Sequence, residues 1–409
     1  MINKKKLALF GYGKTTKAIA NMLGNGCIFF DDNVEKLKID EFNNKIYPSN
    51  RFNPQEFELE IATPSMHPKN PLVKKAKHLI SEYDFFLSNY YNLNKKPLTI
   101  WISGTNGKTT TTQMLTYLLK DKGAVSGGNI GTPLANLDPN APIWILETSS
   151  FTMHHTKVAK PDIYMLLPIT PDHLDWHGSS QEYIADKLSP LSRMQEGELA
   201  LIPKGLHLLK TNAWVVEYEN AKELAKRFDI DIDKIKFKGA FLLDSLFALI
   251  ATKALFDEVD YNLINSFKVD AHRQEELIDP KGRVWINDSK ATNIDATIQV
   301  LNLYRDKKIH LILGGDDKGV DLSELFEFLK ELNLTIYAIG SNTDKLIKLS
   351  KEYNIDAKAC YTLKKAIEAI NKAHTTKSIA ILAPAASSLD QFSSYAKRGD
   401  DFKNFVKSL

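Results

Sequence analysis

The 409-residue chain has only two cysteines, Cys27 and Cys360, far apart in sequence and in no CxxC or metal-type cluster. A disulfide scaffold is excluded, and two separate buried thiols in a reducing compartment are expected. An excess of charge of one sign is also lacking. Lys+Arg 53 against Asp+Glu 50 gives +3, too even for a protein that coats nucleic acid, so an anionic ligand must be held by a local site. Glycine (20) and proline (16) are too few for a collagen-like or low-complexity chain. Long hydrophobic runs are missing as well: no stretch approaches the ~18 apolar residues of a membrane span. Behind the basic Met1–Lys6 the apolar run is only Leu7–Phe10, shorter than the ~7–15 residues of a secretory signal. The expectation is a cytoplasmic protein with no nucleic-acid partner and no membrane span.

What is present is an ordinary globular composition, 43% hydrophobic and 25% charged. At ~100–200 residues per domain its length predicts two or three domains. An apolar strand at Leu7–Phe10, the turn Gly11-Tyr-Gly13, a helical pattern through Leu23 and a second strand at Cys27–Phe30 ending at Asp31-Asp32 read as a βαβ start. Asn89–Pro97 is polar, ends in proline and suits a linker. A buried strand at Leu98–Ile102 then feeds Ser103–Thr110 and a helix from about Thr111 to Lys120. Further strands are predicted at Ile143–Leu146 and Ile163–Leu167, with a long helix at Phe241–Leu255. A third section from about Ala271 offers strands at Val284–Ile286, His310–Leu313, Thr335–Ile339 and Ser378–Leu382, with helical patterns between them. The fold class is α/β in three domains, with boundaries at 1–92, 93–270 and 271–409. The outer two are Rossmann-like, and the central one resembles a phosphate-loop ATPase with a mostly parallel sheet.

Gly11-Tyr-Gly13 is a dinucleotide fingerprint whose third glycine is replaced by Thr16, with Asp31 and Asp32 where a ribose-binding acid could fall. A redox cofactor, another nucleotide and a purely structural turn all remain open from these residues. Gly104-Thr105-Asn106-Gly107-Lys108-Thr109-Thr110 speaks more strongly, because it follows a strand and opens a helix. Backbone N–H groups and the helix N-terminus would face phosphates, Lys108 would neutralise them and the Thr109 hydroxyl would bind Mg²⁺. A strict GxxxxGK[ST] match would need glycine where Ile102 stands, so the loop is a shortened variant. Glu147 ends an apolar strand, where a second oxygen ligand for Mg²⁺ is expected. Pro171–His177 crowds acids with His173 and His177, but no third soft ligand is near enough in sequence to argue for zinc. Asn287–Asn293, Leu313–Gly319 and Ala383–Phe392 each follow a strand, and such polar loops would line one rim.

Taken with Gly104–Thr110, these segments resemble the Mur ligase family, ATP-dependent amide-forming enzymes of peptidoglycan precursor synthesis, over nearly the whole length. Ser387–Phe392 and Lys397–Asp400 look like the branch that adds D-glutamate to UDP-N-acetylmuramoyl-L-alanine. The Asp-Asn-Pro-Arg motif of the diaminopimelate-adding branch is not in the sequence. The resemblance implies that domain 1–92 binds the UDP portion, 93–270 binds ATP and 271–409 brings the amino acid. It implies ATP held by Gly104–Thr110, with Mg²⁺ bound through Thr109, Glu147 and His173. Lys187 matches the lysine the family carries as a carbamate, giving a further metal ligand. Asn129 would contact the muramoyl substrate, and Arg273, Asp288 and Lys290 would lie on the nucleotide side. Thr292, Lys318, Ser388, Leu389 and Tyr395 would shape the D-glutamate pocket. Lys108, His173, Lys187 and Lys290 are the expected catalytic groups of a monomeric enzyme using two small-molecule substrates. Where the family usually has Gly-x-His-Asn near the adenine, this chain reads Gly239-Ala-Phe-Leu242. The alternatives are a folylpolyglutamate synthase-like ligase, which uses a similar loop, and a nucleotide-binding redox enzyme built on Gly11–Gly13.

Overall fold

The computed structural model describes residues 3–93, 95–207 and 209–409. The beginning of the basic Met1–Lys6 segment and Asn94 of the Asn89–Pro97 linker thus lie outside the described residues. The chain forms three six-stranded sheets. The first contains β1 (Leu7–Phe10), β2 (Ile28–Asp31), β3 (Lys38–Ile39), β4 (Lys45–Pro48), β5 (Leu59–Ala62) and β6 (Leu79–Ile80), in the order β3-β4-β2-β1-β5-β6. The second contains β7 (Leu98–Ser103), β8 (Ala124–Gly128), β9 (Ile143–Glu147), β10 (Ile163–Leu166), β11 (Leu199–Pro203) and β12 (Trp214–Tyr218), in the order β12-β11-β10-β7-β9-β8, all parallel. The third contains β13 (Glu275–Ile278), β14 (Val284–Asn287), β15 (Lys308–Leu313), β16 (Leu334–Ile339), β17 (Ala357–Tyr361) and β18 (Ser378–Leu382), in the order β13-β14-β18-β15-β16-β17.

The parallel strands that sequence patterning finds are the central ones. β1, β7, β9 and β18 are mostly apolar and buried almost throughout, as expected where both faces of a parallel sheet are covered. The strands it misses are mostly short, polar or at an edge. Lys38–Ile39 is wholly exposed and Ala124-Val-Ser-Gly-Gly128 has weak strand propensity. β13 pairs antiparallel with β14, so the third sheet is mixed where a parallel one was expected. The first two sheets belong to one compact unit, residues up to Phe237 with Phe241–Phe267, and the third to a second unit, Lys238–Ala240 with Lys268–Leu409.

The expectation that no stretch approaches a membrane span needs correction. Gly239–Phe256 has the length and apolarity to cross a bilayer. Asp244–Thr252 is buried throughout, however, and a helix enclosed on every side reads as apolar all round without meeting lipid. Cys27 and Cys360 are both free and buried.

Candidate functional site

The phosphate-type loop runs from the end of β7 into the helix Lys108–Leu118, which begins three residues earlier than its sequence pattern suggested. Gly107 caps that helix with φ +83, and Gly104 has φ +141. A Cβ on Gly104 would come 2.5 Å from Leu167 Cβ, and one on Gly107 would come 2.5 Å from Asp244 Oδ1. Neither position accepts a side chain, so the backbone of the loop stays bare. Asp244, from the long buried helix, accepts a hydrogen bond from Thr111 Oγ1 at 3.0 Å. Lys108 Nζ donates to the carbonyls of Gly104 and Thr105, both at 2.9 Å, which holds the ammonium folded over the loop. Thr109 lies in the first helical turn and Thr110 is buried behind it. Thr105 Oγ1 donates to Thr170 O at 2.9 Å and shares a hydrogen bond with Tyr183 OH.

Lys187 sits on the helix Ser180–Leu188 and is 1% exposed. Its Nζ donates to Ser103 Oγ at 3.2 Å and Gly104 O at 2.9 Å, so it reaches the root of the loop. Burial, reinforced by the Lys108 charge, holds its pKa well below that of an ordinary lysine. Glu147, 2% exposed, ends β9 opposite Ile102 of β7. Its Oε1 accepts from Asn129 Nδ2 at 2.7 Å, while Oε2 has no hydrogen-bond partner among the described residues. The structure therefore brings Lys108, Asn129, Glu147 and Lys187 to the ends of three adjacent strands. His173 is different. It has φ +52, its side chain is half exposed, and its ring packs on Phe151 at 4.8 Å. The neighbouring His177 is the buried one, between Asp186 and Ser150.

In the second unit the loops after β14, β18 and β15 follow three neighbouring strands. Backbone bonds tie them together: Ala385 N to Ala291 O at 3.0 Å, and Asp316 with Ser387 in both directions. Lys290 Nζ lies 4.1 Å over the Tyr395 ring. Burial raises the Asp288 carboxyl to about 7, against a backbone hydrogen bond from Gln274 and the nearby Arg273 charge. Ser388 is buried, whereas Thr292, Lys318 and Leu389 are exposed. Sequence reasoning gave no role to Arg398. Its buried guanidinium donates to Ser289 O at 2.9 Å and Ala386 O at 3.2 Å, and burial lowers its pKa to about 10. A lone arginine in Lys397–Asp400 carries no signal of that burial.

A strand, a bare glycine loop and a helix with a lysine folded over the turn define a phosphate-loop α/β protein. Residues 102–241 match the model of the Mur ligase middle domain. A UDP-N-acetylmuramoylalanine–D-glutamate ligase of Campylobacter jejuni subsp. jejuni serotype O:23/36 (strain 81-176) is 51% identical over 407 residues, covering 99% of this chain and 100% of that protein. Among solved structures, the MurF ligase of Thermotoga maritima in complex with ADP is similar in fold, with TM-score 0.59, 17% identity and 94% of each chain covered. A Mycobacterium tuberculosis folylpolyglutamate synthase complexed with ADP and AMPPCP also shares the fold, with TM-score 0.53, 12% identity, and 76% of this chain and 92% of that chain covered. The chain belongs to the Mur ligase family, in the branch of the UDP-N-acetylmuramoylalanine–D-glutamate ligases.

Proposed function

We propose that this protein joins the amine of D-glutamate to the lactyl-alanyl carboxylate of UDP-N-acetylmuramoyl-L-alanine, using ATP, in peptidoglycan precursor synthesis. The observation that carries the reading is the near-full-length identity to ligases of that name, combined with the loop geometry at Gly104–Thr110. The carboxylate attacks the ATP γ-phosphate to give an acyl phosphate and ADP. The D-glutamate amine then displaces phosphate through a tetrahedral intermediate. Such a reaction asks the protein chiefly for charge neutralisation, positioning and exclusion of water.

Gly104–Thr110 cradles the ATP phosphates with backbone N–H groups, and Lys108 swings from its loop carbonyls to neutralise them. A divalent cation fits the donors present: Glu147 Oε2 is a buried carboxylate oxygen without a hydrogen-bond partner among the described residues, and the Thr109 hydroxyl heads the helix. When bound, Mg²⁺ would offset charge on the phosphates. His173 is assigned to the same side. Lys187 suits a carbamate, because carbamylation by CO₂ begins from an uncharged amine, releases one proton and leaves an anionic oxygen donor. Burial favours that uncharged form. Asn129, held by Glu147, is assigned to the muramoyl substrate. In the second unit, Arg273, Asp288 and Lys290 serve the nucleotide, while Thr292, Lys318, Ser388, Leu389 and Tyr395 shape the pocket for D-glutamate. We assign the parts 1–92, 93–270 and 271–409 to UDP-substrate, ATP and amino-acid binding, in a cytoplasmic, monomeric enzyme.

The test is phosphate release from ATP with a panel of acceptors and amino acids. The reading requires UDP-N-acetylmuramoyl-L-alanine and D-glutamate together. Equal turnover with L-glutamate and a folate acceptor would sink it.

A further inference from the structure

His177 belongs to the histidine-rich segment Pro171–His177, but the proposed reaction uses only His173 of it. Its side chain is completely buried. Nδ1 lies 2.8 Å from Asp186 Oδ2 and Nε2 lies 3.0 Å from Ser150 Oγ. Asp186 is an acceptor, so Nδ1 carries the proton and Nε2 accepts the Ser150 hydroxyl. Asp186 also meets His154 Nδ1 at 3.0 Å, which fixes the carboxylate from its other side. Phe151 stacks on the His177 ring at 5.5 Å with an interplanar angle of 17°.

The three segments joined here carry three of the four groups assigned to the cation, Glu147, His173 and Lys187, with Thr109 on the phosphate-loop helix as the fourth. Ser150 opens a helix three residues after Glu147, His177 lies four residues after His173, and Asp186 immediately precedes Lys187. Apolar packing alone would leave these segments free to slide and rotate. Two directed hydrogen bonds from one ring set both distance and rotation.

We propose that His177 is a positioning residue, bonded to Ser150 and Asp186, that holds the segments of Glu147, His173 and Lys187 in the arrangement that binds the divalent cation. This rests on the function proposed above. It concerns a residue that touches neither substrate nor cation and acts through its neighbours.

The experiment is Mn²⁺ binding to the full chain followed by electron paramagnetic resonance, with a non-hydrolysable ATP analogue present. His177→Phe keeps a ring in the stack but removes both hydrogen bonds, and should weaken Mn²⁺ binding about tenfold. His177→Gln, which retains one donor and one acceptor, should recover part of that loss. Ser150→Ala removes a single hydroxyl and should weaken binding about threefold, so the proposal stays testable should His177→Phe fail to fold. Glu147→Gln serves as the reference for the cation site. If Glu147→Gln abolishes binding while Ser150→Ala and the folded His177 variants bind as the parent does, the positioning role is wrong and the cation site stands. If Glu147→Gln also leaves binding unchanged, both the cation site and the role of His177 fall.

Discussion

Two turns in this protein share one local plan, a buried strand followed by a glycine turn and a helix, yet their surroundings point to different uses. In the first sheet, Gly11-Tyr-Gly13 is occupied from within. Asp31 Oδ2 accepts the Tyr12 N–H at 2.6 Å, and Thr16 Oγ1 accepts from Gly13 N at 3.2 Å. Thr16 stands where a dinucleotide fingerprint has its third glycine, and its buried side chain fills the space that residue would leave bare. In the second sheet, Gly104–Thr110 is lined by two lysines, Lys108 on the loop carbonyls and Lys187 at its root. An acid sits on the amide of one turn, and cations gather at the other. The same backbone motif is therefore braced from within in one place and flanked by cations in the other, as the phosphate cradle proposed above would need.

The largest expected effect comes from removing charge at the second turn. Lys108→Ala should lower phosphate release by about 10³-fold or more with thermal stability little changed, since Lys108 is a partly exposed residue at the head of its helix and its ammonium is folded over the loop, outside the apolar core. Turnover within tenfold of the parent would erase the distinction between the turns.

Next in size is Lys187. Lys187→Ala should lose about 10²-fold in activity, and acetate diffusing into the vacated space should restore part of it, whereas Lys187→Arg should not be rescued. Its effect on stability has the opposite sign. In bicarbonate-free buffer the unfolded chain protonates this amine below pH 10.5, while the fold resists doing so. The stability associated with Lys187 is therefore full above pH 10.5 and is lost as pH falls towards the depressed folded pKa. Lys187→Met should be inactive but more stable at neutral pH, and less dependent on pH, in denaturant titrations. A less stable Lys187→Met would show that the buried amine is better satisfied than its surroundings indicate.

A paired substitution separates strain from function. Gly107→Ala (φ +83) and Gly11→Ala (φ +81) each place a Cβ under 3 Å from a neighbour, and each should cost about 1–3 kcal/mol of stability. Only Gly107→Ala should also raise the KM for ATP. An equal rise for Gly11→Ala would mean that the first turn takes part in ATP binding.

The smallest effect expected on activity is that of Thr16→Gly, which restores the third glycine. It removes the hydroxyl bonds and should destabilise by about 1–2 kcal/mol, yet NADH fluorescence should report no binding. Saturable NADH binding would revive the redox reading of this turn.

The amino-acid sequence by itself determined the central strands, both glycine turns, the lysine at the head of the helix and the acid at the end of β9. These are local features, governed by runs of apolar residues and by turn chemistry a few residues long. It also marked Lys187 and His173 through their resemblance to family motifs, without telling which side chains are buried. That was decided by tertiary structure. Lys187 meets Ser103 and Gly104 across 84 and 83 residues of chain, and His177 meets Ser150 across 27. A lysine on a polar-looking helix has its pKa driven down only when a distant strand encloses it, because desolvation depends on what surrounds the group in space. The apolar helix Gly239–Phe256 shows the converse: hydropathy records how much water a helix avoids, and only packing reveals that protein, not lipid, displaces it.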